Sequence, residues 1–255
     1  MKIVIIGSGN AATVLGRLIK QAGHEIVQVF SRSGEHAAEL AGELGCSWSN
    51  GWEGINREGE LYLVALSDNA LLTLGEELVL PGKLVVHTAG AISRNALQGV
   101  SEHCGVLYPL QSLRKEIRSI PEIPLLVDGM GPGDLERIRD FALTLSGQVA
   151  AADDETRLKL HLAGVIVNNF SNHLYALTAG FCRQEGIPFD LLLPLIGETA
   201  GRLSHRDPRD TQTGPAVRGD EITIDKHLKL LDNYKDIKEL YRLITFQIKE
   251  LHGKG

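Results

Sequence analysis

Cysteine, aromatic residues and positive charge are all scarce in this sequence of 255 residues. The 3 cysteines are far apart and in no paired motif, so we expect reduced thiols, no disulfide framework and no metal site. The formal net charge of −6 argues against nucleic acid or an anionic membrane surface as the main partner, because both require a basic face. The hydrophobic content of 43% excludes a disordered chain.

Long uninterrupted apolar runs are also missing. The most apolar long stretch, residues 158–177, is broken by three asparagines and two histidines. It therefore predicts a buried helix and not a membrane span. Because no signal-peptide pattern precedes the first apolar strand, we expect a cytoplasmic protein.

Strand and helix patterns alternate over the first part of the chain. The predicted strands are Lys2–Ile6, Glu25–Phe30, Leu61–Leu66, Lys83–His87, Gly105–Tyr108 and Leu125–Asp128. The predicted helices between them are Asn10–Ala22, His36–Leu44 and Asn69–Leu80. This alternation favours an α/β fold, a doubly wound and mostly parallel Rossmann sheet with right-handed crossovers.

The pattern changes after Ala150, where no convincing strand remains. Four helical stretches are predicted, roughly 155–185, 189–204, 220–232 and 234–252. We therefore predict two domains, a nucleotide-binding domain over residues 1–152 and an all-helical domain over residues 153–255.

The segment Gly7-Ser8-Gly9-Asn10-Ala11-Ala12 follows the first strand and opens the first helix. This is the G-x-G-x-x-A form of the dinucleotide-binding fingerprint. Gly7 permits a tight turn, Gly9 allows backbone to approach a pyrophosphate, and the helix N-terminus faces the anion. The position of this motif within a βαβ unit predicts a dinucleotide site. The alternative is a glycine turn in some other α/β protein.

The end of the second strand indicates which dinucleotide binds. NAD and FAD sites place an acid there for the ribose hydroxyls, whereas this strand runs into Ser31-Arg32-Ser33. An arginine between two hydroxyls suits a 2′-phosphate, so these residues predict NADP(H). The alternative is a solvated loop arginine.

Two further strand ends point to the same edge of the sheet, Leu66-Ser67-Asp68 and His87-Thr88-Ala89-Gly90. Ligands of open parallel sheets bind at the carboxyl ends of the strands, so we expect these residues to contact the cofactor. Two less specific roles remain open. Asp68 can act as a helix N-cap, and His87 can be a buried, hydrogen-bonded histidine.

The motifs resemble a bacterial family of Rossmann-like proteins with a helical C-terminal domain. They are Gly7-x-Gly9-x-x-Ala12, Leu66-Ser67-Asp68, His87-Thr88-Ala89-Gly90, Tyr108-Pro109-Leu110-Gln111-Ser112 and Thr213-Gly214-Pro215-x-x-Arg218-Gly219-Asp220. That family is similar to deazaflavin-dependent NADP oxidoreductases, pyrroline-5-carboxylate reductase and ketopantoate reductase. The resemblance implies a 6-phosphogluconate dehydrogenase-like helical domain. It also implies a homodimer formed through that domain and a cleft between domains.

A proton donor and substrate-orienting groups are expected on the first helix of the helical domain. His161, Asn168 and Asn172 are spaced by seven and four residues, so they share one face of an α-helix. We prefer His161 as the proton donor, with the two asparagines orienting the substrate. Lys159 is the alternative acid. The resemblance implies a lysine followed by asparagine at four residues, and Ala163 stands at that position here. Buried asparagine and histidine can also serve packing alone.

Candidates for substrate contact are Tyr108, Gln111 and Arg218, because an arginine suits a carboxylate. Tyr108 can equally be a core aromatic residue. The sequence thus predicts an NADP(H)-dependent reductase of a small carbonyl or imine compound that bears a carboxylate, ketopantoate being one candidate. The alternatives are a non-catalytic NADP(H)-binding redox sensor or partner module, and a deazaflavin-linked NADP reductase.

Overall fold

Eight strands form one sheet in the computed structural model of the chain, which describes residues 1–253. In chain order they are β1 (Lys2–Ile6), β2 (Glu25–Phe30), β3 (Ser47–Ser49), β4 (Leu61–Val64), β5 (Leu84–His87), β6 (Cys104–Pro109), β7 (Leu125–Gly129) and β8 (Val149–Ala151). The spatial order is β3-β2-β1-β4-β5-β6-β7-β8, and every neighbouring pair is parallel except β6 and β7. The predicted Rossmann-type sheet is confirmed.

The central strands are apolar because both faces of the sheet are covered. Every residue of β4 and β5, and all of β1 after Lys2, is buried. Ile3 and Ile5 belong to the apolar layer on one face, while Val4 and Ile6 belong to the layer on the other. This alternation follows from the two-residue repeat of a strand, and burial on both faces is typical of parallel sheets.

Eleven α-helices lie within the described residues. They are α1 (Asn10–Gln21), α2 (Gly34–Leu44), α3 (Asp68–Leu72), α4 (Leu74–Glu77), α5 (Pro132–Leu145), α6 (Asp154–Gly164), α7 (Ser171–Gln184), α8 (Leu193–Arg202), α9 (Pro215–Arg218), α10 (Glu221–Leu230) and α11 (Lys235–Leu251). The first two lie within a residue or two of their predicted bounds. Ser33 caps the start of α2, and Gly45 ends that helix in the left-handed conformation with φ 77°.

The prediction of one helix over Asn69–Leu80 was wrong. The segment forms α3 and α4, separated at Thr73. In α4 the backbone of Gly75 packs against that of Gly99, with a would-be Cβ only 3.0 Å from the Gly99 Cα. The two backbones can approach this closely because neither residue has a side chain.

Two compact units make up the chain, Met1–Asn169 and Phe170–Gly255. We call them the sheet unit and the helical unit. The predicted boundary between residues 152 and 153 follows the change from strands to helices, whereas the compact units divide at Asn169. Helix α6 belongs to the sheet unit because its Arg157 is bonded to the carbonyl of Ile92. The domain boundary stays a prediction.

The long helix predicted over 155–185 is interrupted at its centre. Residues Val165–Phe170 form a π-helical segment between α6 and α7. A π-helix has an i→i+5 hydrogen-bond pattern, so it shifts the face on which the following residues lie. Such segments are frequently found at functional sites.

The reversed direction of β7 determines the path of residues 110–124. Strand β6 ends at the edge where β1, β4 and β5 also end, and antiparallel β7 begins at that edge, since Pro109 pairs with Leu125. The connection between them therefore does not have to cross the sheet. It stays at the carboxyl edge of the central strands.

Candidate active site

The turn from β1 to α1 has the backbone geometry that the fingerprint predicts. Gly7 has φ +127°, and a Cβ there would lie 2.2 Å from the carbonyl oxygen of Ala65. Both facts require glycine at this position. Gly9 is the N-cap residue of α1, and a Cβ on it would meet no atom within 4 Å. The protein's own packing therefore does not require glycine at position 9, but close approach of a ligand to the backbone would.

The packing of α1 on the sheet depends on two small residues. Ala12 is fully buried. A Cβ on Gly16 would lie 2.9 Å from the Leu44 side chain and 3.2 Å from that of Ile5. Helix α1 thus approaches both α2 and β1 closely, which directs its N-terminus toward the carboxyl edge of the sheet.

The Ser31-Arg32-Ser33 segment lies beside this turn. The hydroxyl of Ser8 donates to that of Ser31 over 2.8 Å, which joins the ends of β1 and β2. Ser33 accepts the amide of His36 as the cap of α2. The side chain of Arg32 is exposed and makes no hydrogen bond or ion pair with any described residue. The role of this segment in binding a 2′-phosphate stays a prediction.

The ends of β4 and β5 lie at the same edge. Leu66 packs against the core, Ser67 is the N-cap residue of α3, and exposed Asp68 is the first residue of that helix. The alternative prediction that Asp68 is the N-cap was therefore wrong by one residue, since Ser67 holds that position. Neither side chain makes a capping bond.

His87 is fully buried, and both of its ring nitrogens are engaged. Nδ1 accepts the amide of Ala89 over 3.2 Å, and Nε2 lies 3.2 Å from the carbonyl of Ser93. Burial, followed by the charge of Arg157, lowers the pKa of His87 to about 4. At neutral pH it is therefore uncharged, and it fixes the loop that contains Thr88, Ala89 and Gly90.

A cavity of about 550 Å³ opens where β6 ends and α6 begins its last turn. Its wall comes from β6 and the residues after it, from α6 and from the π-helical segment. The lining residues are Tyr108, Leu110, Gln111, Ser112, Leu160, His161, Ala163, Gly164, Val165, Val167, Asn168 and Asn169. They are apolar or uncharged polar residues apart from one histidine.

Tyr108 and His161 form a hydrogen-bonded pair in this cavity. The Tyr108 hydroxyl lies 2.9 Å from His161 Nδ1, and the two rings meet edge to face at 72°. Burial raises the pKa of Tyr108, against a smaller opposing effect of Arg157, so the phenol keeps its proton at neutral pH. Gly90 packs on the pair, because its would-be Cβ lies 2.7 Å from His161 Nδ1 and 3.0 Å from Tyr108 Cζ.

The other predicted catalytic residues are divided between the two units. His161 and Asn168 both line the cavity, the histidine from α6 and the asparagine from the π-helical segment. Asn172 lies on α7 in the helical unit. Lys159 is exposed, pairs with Glu155 and does not line the cavity.

The predicted substrate contacts are divided in the same way. Gln111 lines the cavity, where its Oε1 accepts the amide of Ser112 over 2.9 Å. Arg218 lies at the end of α9 in the helical unit, exposed to solvent. The contacts of all these residues with a substrate stay predictions.

A buried ionic cluster at the start of α6 was missed from the sequence. Arg157 is 1% exposed and donates through Nη2 to Asp154 over 2.6 Å and to the Ile92 carbonyl. Burial raises the pKa of Asp154, but hydrogen bonds from the Ser93 hydroxyl and the Arg94 amide more than offset it, so this pKa is lowered. The only sequence signal was the Asp154–Arg157 spacing of three residues at a helix start. This cluster fixes α6 one turn before His161.

Two family models and a solved structure match this chain. Residues 2–90 match the family model described as NADP oxidoreductase, coenzyme F420-dependent, and residues 123–248 match a domain of unknown function, DUF2520. A Bacteroides fragilis protein, provisionally named an NADP oxidoreductase, is 40% identical over 98% of both chains, with a TM-score of 0.90. The chain belongs to this NADP oxidoreductase family.

More distant structures share the fold of this NADP oxidoreductase family member. An imine reductase from Myxococcus stipitatus in complex with NADP⁺ is 16% identical over 100% of this chain and 95% of its own, with a TM-score of 0.67. The 1-pyrroline-5-carboxylate reductase of Streptococcus pyogenes is 18% identical over 98% of both chains, with a TM-score of 0.65. A comparison with curated proteins found no match.

The predicted cofactor class, NADP(H), is confirmed by the family model that spans the fingerprint. Among residues 1–253, no helix is long and apolar enough to cross a bilayer. In the same part of the chain, no group of three or more His, Cys, Asp or Glu side chains is placed to hold a metal ion.

Proposed function

We propose that this family member is an NADP(H)-dependent reductase that acts on the C=O or C=N bond of a small molecule. The observation that carries the proposal is the Tyr108–His161 pair, set in a cavity at the sheet edge where the fingerprint turn lies. Ligands of open parallel sheets bind at this edge. A hydride acceptor bound there would have a proton donor within reach.

The residues at the turn fit a dinucleotide. A Cβ on Gly9 would have free space, which is the space that a pyrophosphate needs against the helix N-terminus. The proposed cofactor residues are Gly7, Ser8, Gly9, Asn10, Ala11 and Ala12 for the pyrophosphate, Ser31, Arg32 and Ser33 for the 2′-phosphate, and Leu66, Ser67, Asp68, His87, Thr88, Ala89 and Gly90 along the strand ends. When bound, the reduced nicotinamide supplies the hydride.

We infer that His161 is a source of the proton that completes the reduction. It lines the cavity, and only one of its two ring nitrogens is bonded within the described residues. The alternative acid, Lys159, has less support because its ammonium pairs with Glu155 outside the cavity. Asn168 and Gln111 supply amide groups that can orient a polar substrate.

A carboxylate-bearing substrate such as ketopantoate depends on Arg218, since none of the cavity's own lining residues is Lys or Arg. Two similar structures are an imine reductase and a pyrroline-5-carboxylate reductase, so a C=N substrate is as consistent with the proposal as a C=O substrate. Asn172 and Arg218 keep their proposed substrate roles.

We also propose a cytoplasmic homodimer formed through the helical residues. Leu158, Leu162 and Ile166 recur every four residues along the end of the sheet unit and are about half exposed. Phe170 and Leu174 continue the same spacing in the sequence and are exposed too. A second copy of the chain would remove this apolar surface from water.

The first experiment is a titration of the purified protein with NADPH and NADH, followed by nicotinamide fluorescence. We expect tighter binding of NADPH, and Arg32→Ala to abolish that preference. Arg139→Ala, which removes an exposed arginine on α5, is the matched control. Equal binding of both nucleotides would contradict the 2′-phosphate site, and binding of neither would contradict the proposed function.

Turnover separates the proposed enzyme from a redox sensor. NADPH oxidation with oxo-acids or cyclic imines supports the reductase, whereas tight NADPH binding with no turnover supports the sensor. A deazaflavin-linked reaction is the second catalytic candidate, because the matching family model includes coenzyme F420 in its description. Reduced deazaflavin as the electron donor to NADP⁺ tests it directly.

A further inference from the structure

We propose that Tyr108 is a catalytic residue that donates its hydroxyl proton to the substrate, and that His161 then reprotonates Tyr108. Gly90 sets the distance between the two side chains. This inference rests on the proposed reductase function and goes beyond it by naming the terminal donor. It follows from the position of the Tyr108–His161 pair in the cavity and from the close packing of Gly90 on both side chains.

The hydrogen bond defines a path for one proton. The Tyr108 hydroxyl and His161 Nδ1 are 2.9 Å apart, and both side chains line the same cavity. Within residues 1–253 the hydroxyl makes no second hydrogen bond, so its remaining hydrogen-bonding capacity is available to a bound molecule. A hydroxyl that accepts one proton while it donates another is suited to a relay.

The position of Tyr108 in the sheet favours it as the member that touches the substrate. Its strand, β6, runs parallel to β5, and the two end at the edge where the β1–α1 turn lies. His161 comes from the last turn of α6, and it contacts Tyr108 through Nδ1. Tyr108 keeps its proton at neutral pH because burial raises its pKa, so it is present as the acid.

Proton transfer through the pair accompanies hydride transfer to the substrate. The hydride forms a C–H bond at the carbonyl or imine carbon, and the π-electron pair moves to the oxygen or nitrogen. That atom takes the hydroxyl proton of Tyr108, while the Tyr108 oxygen takes the Nδ1 proton of the His161 imidazolium. Tyr108 ends as a phenol and His161 as a neutral imidazole, which regains a proton from water after the product leaves.

Gly90 is the third part of the arrangement. A methyl group at this position would come within 2.7 Å of His161 Nδ1 and 3.0 Å of Tyr108 Cζ, which is closer than side chains normally pack. The loop after β5 therefore lies directly over the hydrogen bond. Any side chain at Gly90 would have to push the imidazole away from the hydroxyl.

The test compares Tyr108→Phe with Tyr62→Phe. Tyr62 is a buried residue of β4 that does not line the cavity, and its hydroxyl donates to the Asn56 carbonyl. We expect Tyr108→Phe to lower kcat by roughly 10²- to 10⁴-fold with NADPH affinity unchanged, and Tyr62→Phe to leave kcat within about threefold. The double variant Tyr108→Phe/His161→Gln should have a kcat no lower than that of the less active single variant, since both residues act in the transfer of the same proton.

Gly90→Ala provides an independent readout, with Gly42→Ala as its control because a Cβ at Gly42 meets nothing within 4 Å. We expect Gly90→Ala to lower kcat and to shift the nitrogen NMR signal of His161 Nδ1, as Tyr108→Phe does, whereas Gly42→Ala changes neither. A Tyr108→Phe enzyme with kcat within about threefold of wild type would overturn the inference and leave the reductase intact. A wild-type protein that binds NADPH but reduces no oxo-acid, imine or deazaflavin substrate would overturn both.

Discussion

The sheet unit and the helical unit differ in how much of their apolar surface the chain itself covers. In the sheet unit, whole strands such as β4 and β5 are buried. Among the described residues of the helical unit, the buried apolar side chains are Cys182, Ala216, Ile224 and Leu231. Large apolar side chains there are exposed, with Leu191 and Ile222 each at 72%. The sheet unit therefore has a complete core, whereas the helical unit leaves large apolar side chains exposed to solvent.

The two units also differ in which parts of the candidate site they contain. The fingerprint turn, the cavity and the Tyr108–His161 pair all lie in the sheet unit, on elements held by buried strands. Sites built on such elements keep their geometry more closely than sites on loops. We expect the stability of the sheet unit to depend on its own contacts and that of the helical unit to depend on association. Four predictions test this expectation.

The largest effect on the sheet unit should come from Arg157→Met. This substitution removes the buried guanidinium that pairs with Asp154 and lies 3.9 Å from Asp128, and Arg94 is then the arginine left at Asp128. We expect a loss of about 3–5 kcal/mol in the free energy of unfolding, measured by urea denaturation. Lys159→Met, which breaks an exposed pair on the same helix, should change it by less than about 1 kcal/mol. Equal losses of unfolding free energy in the two variants would show that burial of the cluster does not contribute to stability.

Acid should weaken the sheet unit through His87. Its folded-state pKa is about 4 and its ordinary value is 6.5, so between these values the unfolded chain binds the proton and the folded chain does not. Stability should therefore fall as the pH drops from 6.5 to about 4, by about 3 kcal/mol for this group. Urea midpoints across this range measure the effect. His87→Gln should flatten the profile, and His173→Gln, at an exposed site, should not.

Association should be most sensitive to the exposed apolar residues near the start of α7. Phe170 is 57% exposed, and burial of a phenylalanine contributes about 1.5–3 kcal/mol. We expect Phe170→Glu to raise the dimer Kd by roughly 10- to 10²-fold, measured by sedimentation. Leu143→Glu, at a 50% exposed leucine on α5, should leave it unchanged. A wild-type chain that is monomeric at all concentrations would contradict the comparison.

The smallest effects come from two glycines. Gly16→Ala should destabilise the protein by about 1 kcal/mol or more, because the new methyl group meets Leu44 and Ile5. Gly180→Ala on α7 meets nothing within 4 Å and should stabilise the protein by about 0.5–1 kcal/mol. If Gly180→Ala is destabilising instead, a second chain packs at that position. Thermal melts at two protein concentrations distinguish the cases.

Strong local signals explain what the sequence predicted correctly. The apolar run at β1 and the glycines directly after it predict a strand followed by a tight turn, and Gly45 ends α2 as a left-handed cap. Four elements were missed. Strands β3 and β8 have three residues each, too few for an alternation to be read, and the four-residue α9 is too short for a helical repeat. Helix α5 was not recognised although Pro132 begins it.

Pairings between distant residues could not be predicted. Tyr108 and His161 are 53 positions apart in the sequence, and only the fold brings β6 against α6. The π-helical segment likewise gives no distinct signal, because the residues in Val165–Phe170 continue the apolar spacing of an α-helix. Sequence periodicity assigned His161, Asn168 and Asn172 to one face, but it assumed an α-helix throughout.

The antiparallel direction of β7 has a consequence for how this enzyme family can diversify. The stretch 110–124 borders the cavity through Leu110, Gln111 and Ser112, and Lys115 donates its amide to Asn10 at the start of α1. Because the stretch leaves and re-enters the sheet at one edge, residues can be inserted or deleted there without altering strand order. The same short piece of chain is therefore the natural place to widen or narrow substrate range, by evolution or by design, while α1 and the Tyr108–His161 pair stay in place.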